Sequence, residues 1–573
     1  MELATLLKNI FLGDDSSGSA RDFAKVKRRS EGTFFTLDLD GVDNQLLQYL
    51  IWPMNTFHLI ARIFDTHDIY QRIVSIENEV GYLQQLRTGN HAKNWSETLL
   101  NAKENNKIEI SPRFYGLLYS LFSSSKTQVQ IEELLSNLEY LSLLFELYIV
   151  SDECACRIQN EVYSKSSILI SRYVETLATK KSRRVISLSQ CNRSNGVIQF
   201  KTNTPQTGIS LNSLSHDLAY VKPGVEIAAI VGNSIKQEIL SHYNVLILPW
   251  PLEIKDVFFK QDNRPTLQME HEFGFFSYEN HHRITHQMII YAIEFSEILL
   301  DLVVLPECAV NSNNKNELLN ELREYFSEKD IIPPVIIFGI FGDGDSVETY
   351  GENSLELLYC DRLNNQYVGE NQKKHHRWAL DAAQLKNYGL DNVLSLSNVK
   401  WWESCSIGAR KLISYRDERI HICPLICEDL ARQDPIAPVV RALGPDLVIA
   451  LLLDGPQIEK RWSGRYASAL VDEPGCSVLS VSAYGMTQRS TNGSVFEPSS
   501  NVALWRDTQT VKELKLEVGK IGILLNLKFE EQRQWSADGR GQNKNRLFYS
   551  SHESVGDISE LSKLEREYRD TQP

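Results

Sequence analysis

The order of hydrophobic and polar positions changes character three times along this chain. From about residue 43 to 180, apolar residues recur at three- and four-residue intervals, as in NQLLQYLIWPMNTFHLIARIF and QIEELLSNLEYLSLLFELYIV. That spacing predicts amphipathic helices. Proline is scarce in this stretch apart from Pro53 and Pro112, so the helices are expected to be long and packed on one another. Residues 184–241 break the rhythm. RVISLSQC, GVIQFKT and VEIAAIVG read as short strands between Asn, Gly and Pro signals. From YNVLILPWPL onward, strand and helix patterns alternate. THQMIIYAIEFSEILLDLVVLPE reads as helix then strand, NKNELLNELREYF as a helix, and PPVIIFGIFGDGD, SLELLYCDR, IHICPLIC, DLVIALLLDG and CSVLSVSAYG as strands. Such alternation over about three hundred residues predicts a layered α/β domain.

Four parts follow: a mainly α-helical region over 1–183, a small strand-containing connector over 184–241, an α/β domain over 242–550, and a charged tail, helical at most, over 551–573. Residues 12–32, rich in Gly, Ser and Asp and then in basic residues, read as a loop or arm.

Length and composition narrow the class. A chain of 573 residues exceeds one ordinary core. With 42% hydrophobic and 23% charged residues it has a globular composition. A formal charge of −14 argues against broad binding to nucleic acid or anionic membranes. The basic cluster KVKRR at 25–29 reads as a solvated face. Nine thinly scattered cysteines and no secretory segment after Met1 point to free thiols in a reducing cytoplasm. No apolar run reaches the ~18–20 residues of a membrane span.

Candidate chemistry lies where two apolar runs end. DLVVLPE ends on Glu307 and IHICPLIC ends on Cys427; between them NQKKHHRWALD carries Lys373 and Lys374. In layered α/β folds, reactive groups gather at the carboxyl ends of strands. Two carboxylates, Glu428 and Asp429, follow Cys427 directly. Acidic neighbours raise a thiol's pKa, so a reactive Cys427 needs a base, and Glu307 can supply it as substrate binds. A carboxylate base, a cation and a thiol are the parts needed for nucleophilic attack on an electrophilic carbon with a held oxyanion.

These three motifs, VVLPE, QKKHHRW and LICEDL, resemble in order and rough spacing those of the nitrilase or carbon–nitrogen hydrolase superfamily. GENSLELLYCDRLNNQYVGENQKKHH is similar to the family's Asn-Ser strand, hairpin and lysine strand, with Asn353 at the asparagine position. The resemblance covers about 242–550. It implies a four-layer α-β-β-α sandwich and hydrolysis of a non-peptide C–N bond through a thioester, an amide being a better expectation than a nitrile. It implies Glu307 as base, Lys374 (with Lys373 as its rival) and the backbone N–H of Glu428 at the oxyanion, and Cys427 as nucleophile. Glu403, 24 residues before Cys427, takes the place of a second glutamate that orients the lysine. No cofactor and no metal are implied. The partners expected are a small amide or nitrile substrate, further copies of the chain in a homo-oligomer, and a separate protein reached through the N-terminal region, with no membrane and no nucleic acid.

Bland readings stand beside these. Cys423 lies within its strand with no motif around it and reads as a buried small hydrophobe. His282 and His286 have an i, i+4 spacing, but the glutamate of HExxH is missing. CAC at 154–156 lacks partner ligands, and GDGDS at 342–346 reads as a turn. No phosphate-binding glycine loop is present. Trp378 and the WWE at 401–403 are candidates for lining a pocket or for simple core packing. The competing function is a ligand-sensing or scaffold protein, or an effector of a signalling or defence system, that keeps the nitrilase architecture; the first 240 residues are its support.

Overall fold

The computed structural model describes residues 1–571 apart from 14–18, 25–34, 39–44, 76–80, 103–106, 165–167, 178–185, 223, 234–240, 263–272, 279–282, 330–332, 343–350, 363–365, 396–399 and 491–496. The KVKRR cluster, His282 and the GDGDS turn beyond Gly342 lie outside the described residues. Among the described residues no helix is long and apolar enough to cross a membrane.

The chain divides into two compact units. The first comprises Met1–Ala229 with two later segments, Pro438–Gly444 and Arg533–Lys544; the second comprises Ile230–Ala437, Pro445–Gln532 and Asn545–Pro573. In the first unit the expected helical periodicity gives helices Pro53–Thr66, Gly81–Leu100 and Leu138–Ser164, the last packed against both of the others. Pro53 begins its helix, where a missing N–H is harmless. That helix is buried almost all round, Met54, Phe57, Leu59, Ile60, Ile63 and Phe64 included. Its buried polar residues are satisfied: Thr56 donates to the Leu50 carbonyl and His58 meets the Ser189 hydroxyl.

GVIQFKT and VEIAAIVG form strands Val197–Phe200 and Glu226–Val231 as expected. The described part of RVISLSQC does not: residues 186–191 run as bends. The reason lies in where its backbone groups find partners. The Trp52 indole donates to the Leu188 carbonyl, the Gln190 N–H donates to Asn55 Oδ1, and the Ser187 hydroxyl accepts from the Ser189 and Ile198 N–H groups. Side chains of Trp52 and Asn55 and of Ser187 within the segment have taken bonds that a strand would have needed, leaving, among the described residues, only Leu188 N–H to the Ile198 carbonyl.

The second unit is a mixed α/β body built on two large sheets. In one, strands run in the order Tyr367–Lys373, Glu352–Cys360, Val335–Gly342, Leu302–Val304, His242–Ile247, Gly522–Trp535, Gly541–Val555. Val335–Gly342, Leu302–Val304 and His242–Ile247 are parallel to one another, and the flanking pairs are antiparallel. In the other, Val511–Lys515, Asn501–Arg506, Ser477–Ser482, Leu447–Leu452, His421–Ile426 and Lys411–Arg416 follow in order, the inner three parallel. The parallel strands read as unbroken apolar runs because both their faces are covered; Leu447–Leu452 is buried along its whole length. Helices His286–Phe295 and Ser312–Lys329 set Ile289, Leu318, Leu322 and Phe326 against Leu246, Val303 and Ile336 of the first sheet. Strand Gly541–Val555 runs on into the expected tail, with Phe548 and Val555 buried, before helix Ile558–Thr571.

A third, smaller sheet was not foreseen. Ala379–Leu380, Lys400–Glu403, Phe273–Tyr278 and Phe259–Asp262 pair in that order. It matters because it delivers Glu403.

Candidate active site

Glu307 stands three residues beyond strand Leu302–Val304. The turn that carries it is pressed onto the neighbouring strand: Gly339 N–H donates to the Pro306 carbonyl and Ala309 N–H to the Gly339 carbonyl. A Cβ on Gly339 would lie 2.5 Å from Glu307 Cα, so only glycine lets the turn close here. Cys308, in the same turn, takes a φ of +57°.

Lys374 follows strand Tyr367–Lys373, whose side chains alternate in facing. Gln372, on the same face, is buried and spans to the other large sheet, donating to the Pro424 carbonyl and accepting from Ile413 N–H. Lys374 is accordingly buried, while Lys373 reaches towards Ser406 on the other side. The period-two rule thus separates the two rival lysines.

The Lys374 ammonium donates to Glu307 Oε1 (2.7 Å) and to Glu403 Oε2 (2.6 Å). Asn353 Nδ2 bridges the same two carboxylates. Glu307 Oε2 accepts from Leu453 N–H at 2.7 Å, and Glu403 Oε2 accepts from Trp378 N–H at 2.9 Å. Both carboxylates are therefore fixed from several sides. Burial pushes the Glu307 carboxyl above its ordinary range; Lys374 opposes this and Glu403 reinforces it. For Lys374 burial disfavours the charge, but the two carboxylates win and hold the ammonium well above its ordinary range.

Cys427 follows strand His421–Ile426 and opens a tight turn, Cys427–Leu430, with a φ of +46°. A left-handed cysteine stores backbone strain of about 1–3 kcal/mol and re-aims the side chain at the end of the strand. Burial, then the Glu307 charge, push its thiol well up, with Lys374 pulling the other way. Cys427 lines a cavity of about 420 Å³ with Trp378, Tyr388, Asp454, Arg461 and Trp462 among its walls. Glu307, Asn353 and Glu403 line a narrower space of about 20 Å³, and Trp378 lines both.

The acidic pair after the cysteine has two separate jobs. Glu428 forms an ion pair with Arg432 at 2.6 Å. Asp429 is buried and accepts from His375 N–H (3.1 Å) and pairs with His376 Nδ1 (3.0 Å). It ties the turn that bears Cys427 to the two residues after Lys374. Sequence reasoning missed this, although the "CED" triplet was the signal. It also missed Asp454, which accepts from the Tyr388 hydroxyl, Arg461 Nη2 (2.6 Å) and the Trp462 indole (2.9 Å). Asp454 follows strand Leu447–Leu452, a strand end like those of Glu307 and Cys427.

Other expectations fall outside the site. Cys423 is buried within its strand beside His421. Trp401 is buried and donates to the Ser395 carbonyl, and Trp402 lies under Lys400, so neither lines the cavity as Trp378 does. Among the described residues no group of three or more His, Cys, Asp or Glu side chains is arranged to hold a metal ion.

No protein-family model matches the sequence, and no curated protein matches it. Solved structures similar to part of this chain include members of the nitrilase superfamily. An amidase from Nesterenkonia sp. is 12% identical, over 58% of this chain and 97% of its own, with a TM-score of 0.24. Saccharomyces cerevisiae Nit3, a member of branch 10 of the nitrilase superfamily, is 10% identical over 58% and 96%, with a TM-score of 0.25. The C. elegans NitFhit protein is 12% identical, with a TM-score of 0.30; the match spans 58% of this chain and 65% of that one.

Proposed function

We propose that the chain is a cysteine-dependent hydrolase of a non-peptide C–N bond, acting on an amide through Glu307, Lys374 and Cys427. The observation that carries this reading is the buried Glu307–Lys374 pair at 2.7 Å, whose two charges are both felt by the Cys427 thiol. A thiol with a raised pKa holds little thiolate, too little for attack on an unactivated amide unless a base takes its proton in the same step.

The cycle balances with these residues. Glu307 takes the Cys427 proton as sulfur bonds to the amide carbon, and the oxyanion is held by Lys374 and the N–H of Glu428. Glu307 returns the proton to the leaving nitrogen, the C–N bond breaks and a thioester remains. Glu307 then deprotonates water, which attacks the thioester; the C–S bond breaks, the proton returns to sulfur and the acid leaves. Glu403 and Asn353 act as positioning residues that hold Lys374 and Glu307. A four-layer α-β-β-α sandwich for the second unit, a regulatory or assembly role for the N-terminal region, a homo-oligomeric state and a cytoplasmic location belong to the same reading.

The test is mass spectrometry of the protein after brief incubation with a panel of small amides. An acyl mass on the peptide containing Cys427, lost in Cys427→Ala, is expected, together with ammonia or amine release. Binding without acylation, or acylation spread over the other cysteines, would instead favour a ligand-sensing scaffold.

A further inference from the structure

The cavity in front of Cys427 has an unusual charge balance. Four cations line it (Arg432, Lys460, Arg461 and Arg465) against two carboxylates, Glu428 and Asp454. Arg432 is paired with Glu428 and Arg461 with Asp454, each at 2.6 Å. Among the described residues, Lys460 and Arg465 form no ion pair. Two uncompensated positive charges thus face one cavity on a chain whose formal charge is −14.

The segment that bears them is held firmly. Asp454 gathers Tyr388, Arg461 and the Trp462 indole, and its own backbone is clasped by Ser482, whose hydroxyl accepts from Asp454 N–H (3.1 Å) and donates to the Asp454 carbonyl (2.6 Å). Ser463 donates to Gln457 at 2.9 Å. A Cβ on Gly464 would stand 2.4 Å from the Glu459 carbonyl oxygen, so the start of helix Trp462–Asp472 sits directly on the preceding loop. Lys460 and Arg465, both exposed, flank that fixed start. Aromatic rings of Trp378, Tyr388, Trp462 and Tyr466 line it too, together with the polar Gln384, Asn387 and Ser490. The volume, about 420 Å³, falls within the range of small-molecule sites.

We propose that Lys460 and Arg465 are specificity-determining residues, and that the cavity selects amides carrying an anionic group, carboxylate or phosphate, at the end remote from the scissile carbonyl. This rests on the hydrolase reading above. The aromatic walls take the apolar linker between the two ends, and Lys460 and Arg465 meet the anion in water-accessible, salt-sensitive contact.

The experiment has two readouts. In the first, kcat/KM is compared for length-matched pairs: the monoamides of succinic and adipic acids against butyramide and hexanamide, with 3-phosphonopropionamide as a phosphate-type arm. Anionic substrates should exceed neutral ones by about tenfold or more at low salt, and the ratio should shrink as salt is added. Lys460→Gln and Arg465→Gln should each lower the ratio, by about tenfold at most. The carboxylate and phosphonate arms show which anion is preferred. The second readout, binding of succinate and adipate to Cys427→Ser protein by calorimetry, needs no turnover. Weaker binding in the Lys460→Gln/Arg465→Gln protein is expected. Equal use of neutral and anionic amides, or binding indifferent to both substitutions, would overturn the anion site while leaving the hydrolase intact. Anion binding through these residues with no acylation of Cys427 would do the reverse.

Discussion

Replacing Glu307 by glutamine separates the two roles that its carboxylate plays towards Cys427. Glu307 accepts three hydrogen bonds, two on Oε1 from Lys374 and Asn353 and one on Oε2 from Leu453 N–H. A glutamine offers one acceptor oxygen. Turned towards Lys374 and Asn353, it sets its NH₂ group against the Leu453 N–H, leaving a buried donor unsatisfied at a cost of about 1–3 kcal/mol. Lys374 keeps Glu403 as its counter-charge, so the fold should survive with a measurably lower urea midpoint. The electrostatic effect on Cys427 runs the other way from the catalytic one. Glu307 raises the thiol's pKa, so its neutralisation should bring the thiolate nearer and leave alkylation by iodoacetamide as fast as in the native protein, or faster. Loss of the base should meanwhile slow amide turnover by about 10²–10⁴-fold. Turnover and alkylation should therefore part company in Glu307→Gln. A folded variant retaining turnover within about tenfold of native would refute Glu307 as the base. Turnover and alkylation falling together would mean that the residue only shapes the site.

Three further outcomes follow from the same geometry. Asp429→Ala removes the acceptor for His375 N–H and the partner of His376; urea denaturation should show a loss of about 2–4 kcal/mol, with Asp429→Asn recovering part of it and of the turnover. Gly339→Ala drives a methyl group to 2.5 Å from Glu307 Cα, and turnover should fall by about 100-fold through misplacement of the base while the far-ultraviolet circular dichroism is kept. The pH profile of kcat/KM should have an acid limb above the ordinary glutamate range, because the base acts unprotonated and Glu307 is raised. Glu403→Gln removes one of the charges that raises Glu307, so that limb should move to lower pH. Lys374 is held well above its ordinary value and should contribute no alkaline limb near neutrality.

What could be read from the sequence was what one element decides for itself. The buried parallel strands announce themselves as apolar runs, and the loaded residues Glu307 and Cys427 stand at or just past their ends. The choice between Lys373 and Lys374 rests on which face of one strand turns inward, a matter of counting from Gln372. The Asp454 cluster needed three segments to be placed first, since Tyr388, Asp454 and Arg461 are polar residues of ordinary appearance until they meet. RVISLSQC failed for the opposite reason: its local pattern suits a strand, but Trp52, Asn55 and Ser187 side chains occupy its backbone groups. The sheet that carries Glu403 was hidden because Lys400–Glu403 is four residues long, too short for periodicity to register.

The same logic makes the boundary near residue 240 a poor place to cut. The first unit is not continuous in sequence. Thr202 and Asn203 N–H donate to the carbonyls of Leu443 and Gly444, and Gly444, at a φ of +49°, stands where a Cβ would lie within 2.3 Å of the Asn203 carbonyl oxygen. Gln534 accepts from Thr204 N–H and donates to Asn203, Arg540 Nη2 donates to the Leu214 carbonyl, and Lys544 pairs with Asp217 at 2.8 Å. A chain beginning at residue 241 retains 438–444 and 533–544 but loses every one of these partners, and Val440 and Leu443, now fully buried, lose the residues of that unit. Exposed apolar surface of this kind drives aggregation. Residues 241–573 expressed alone should be insoluble or unfold without cooperativity, and co-expression with residues 1–240 should restore a soluble complex that reacts at Cys427. A soluble fragment 241–573 with a single cooperative unfolding transition would show that the two later segments fold without the first unit.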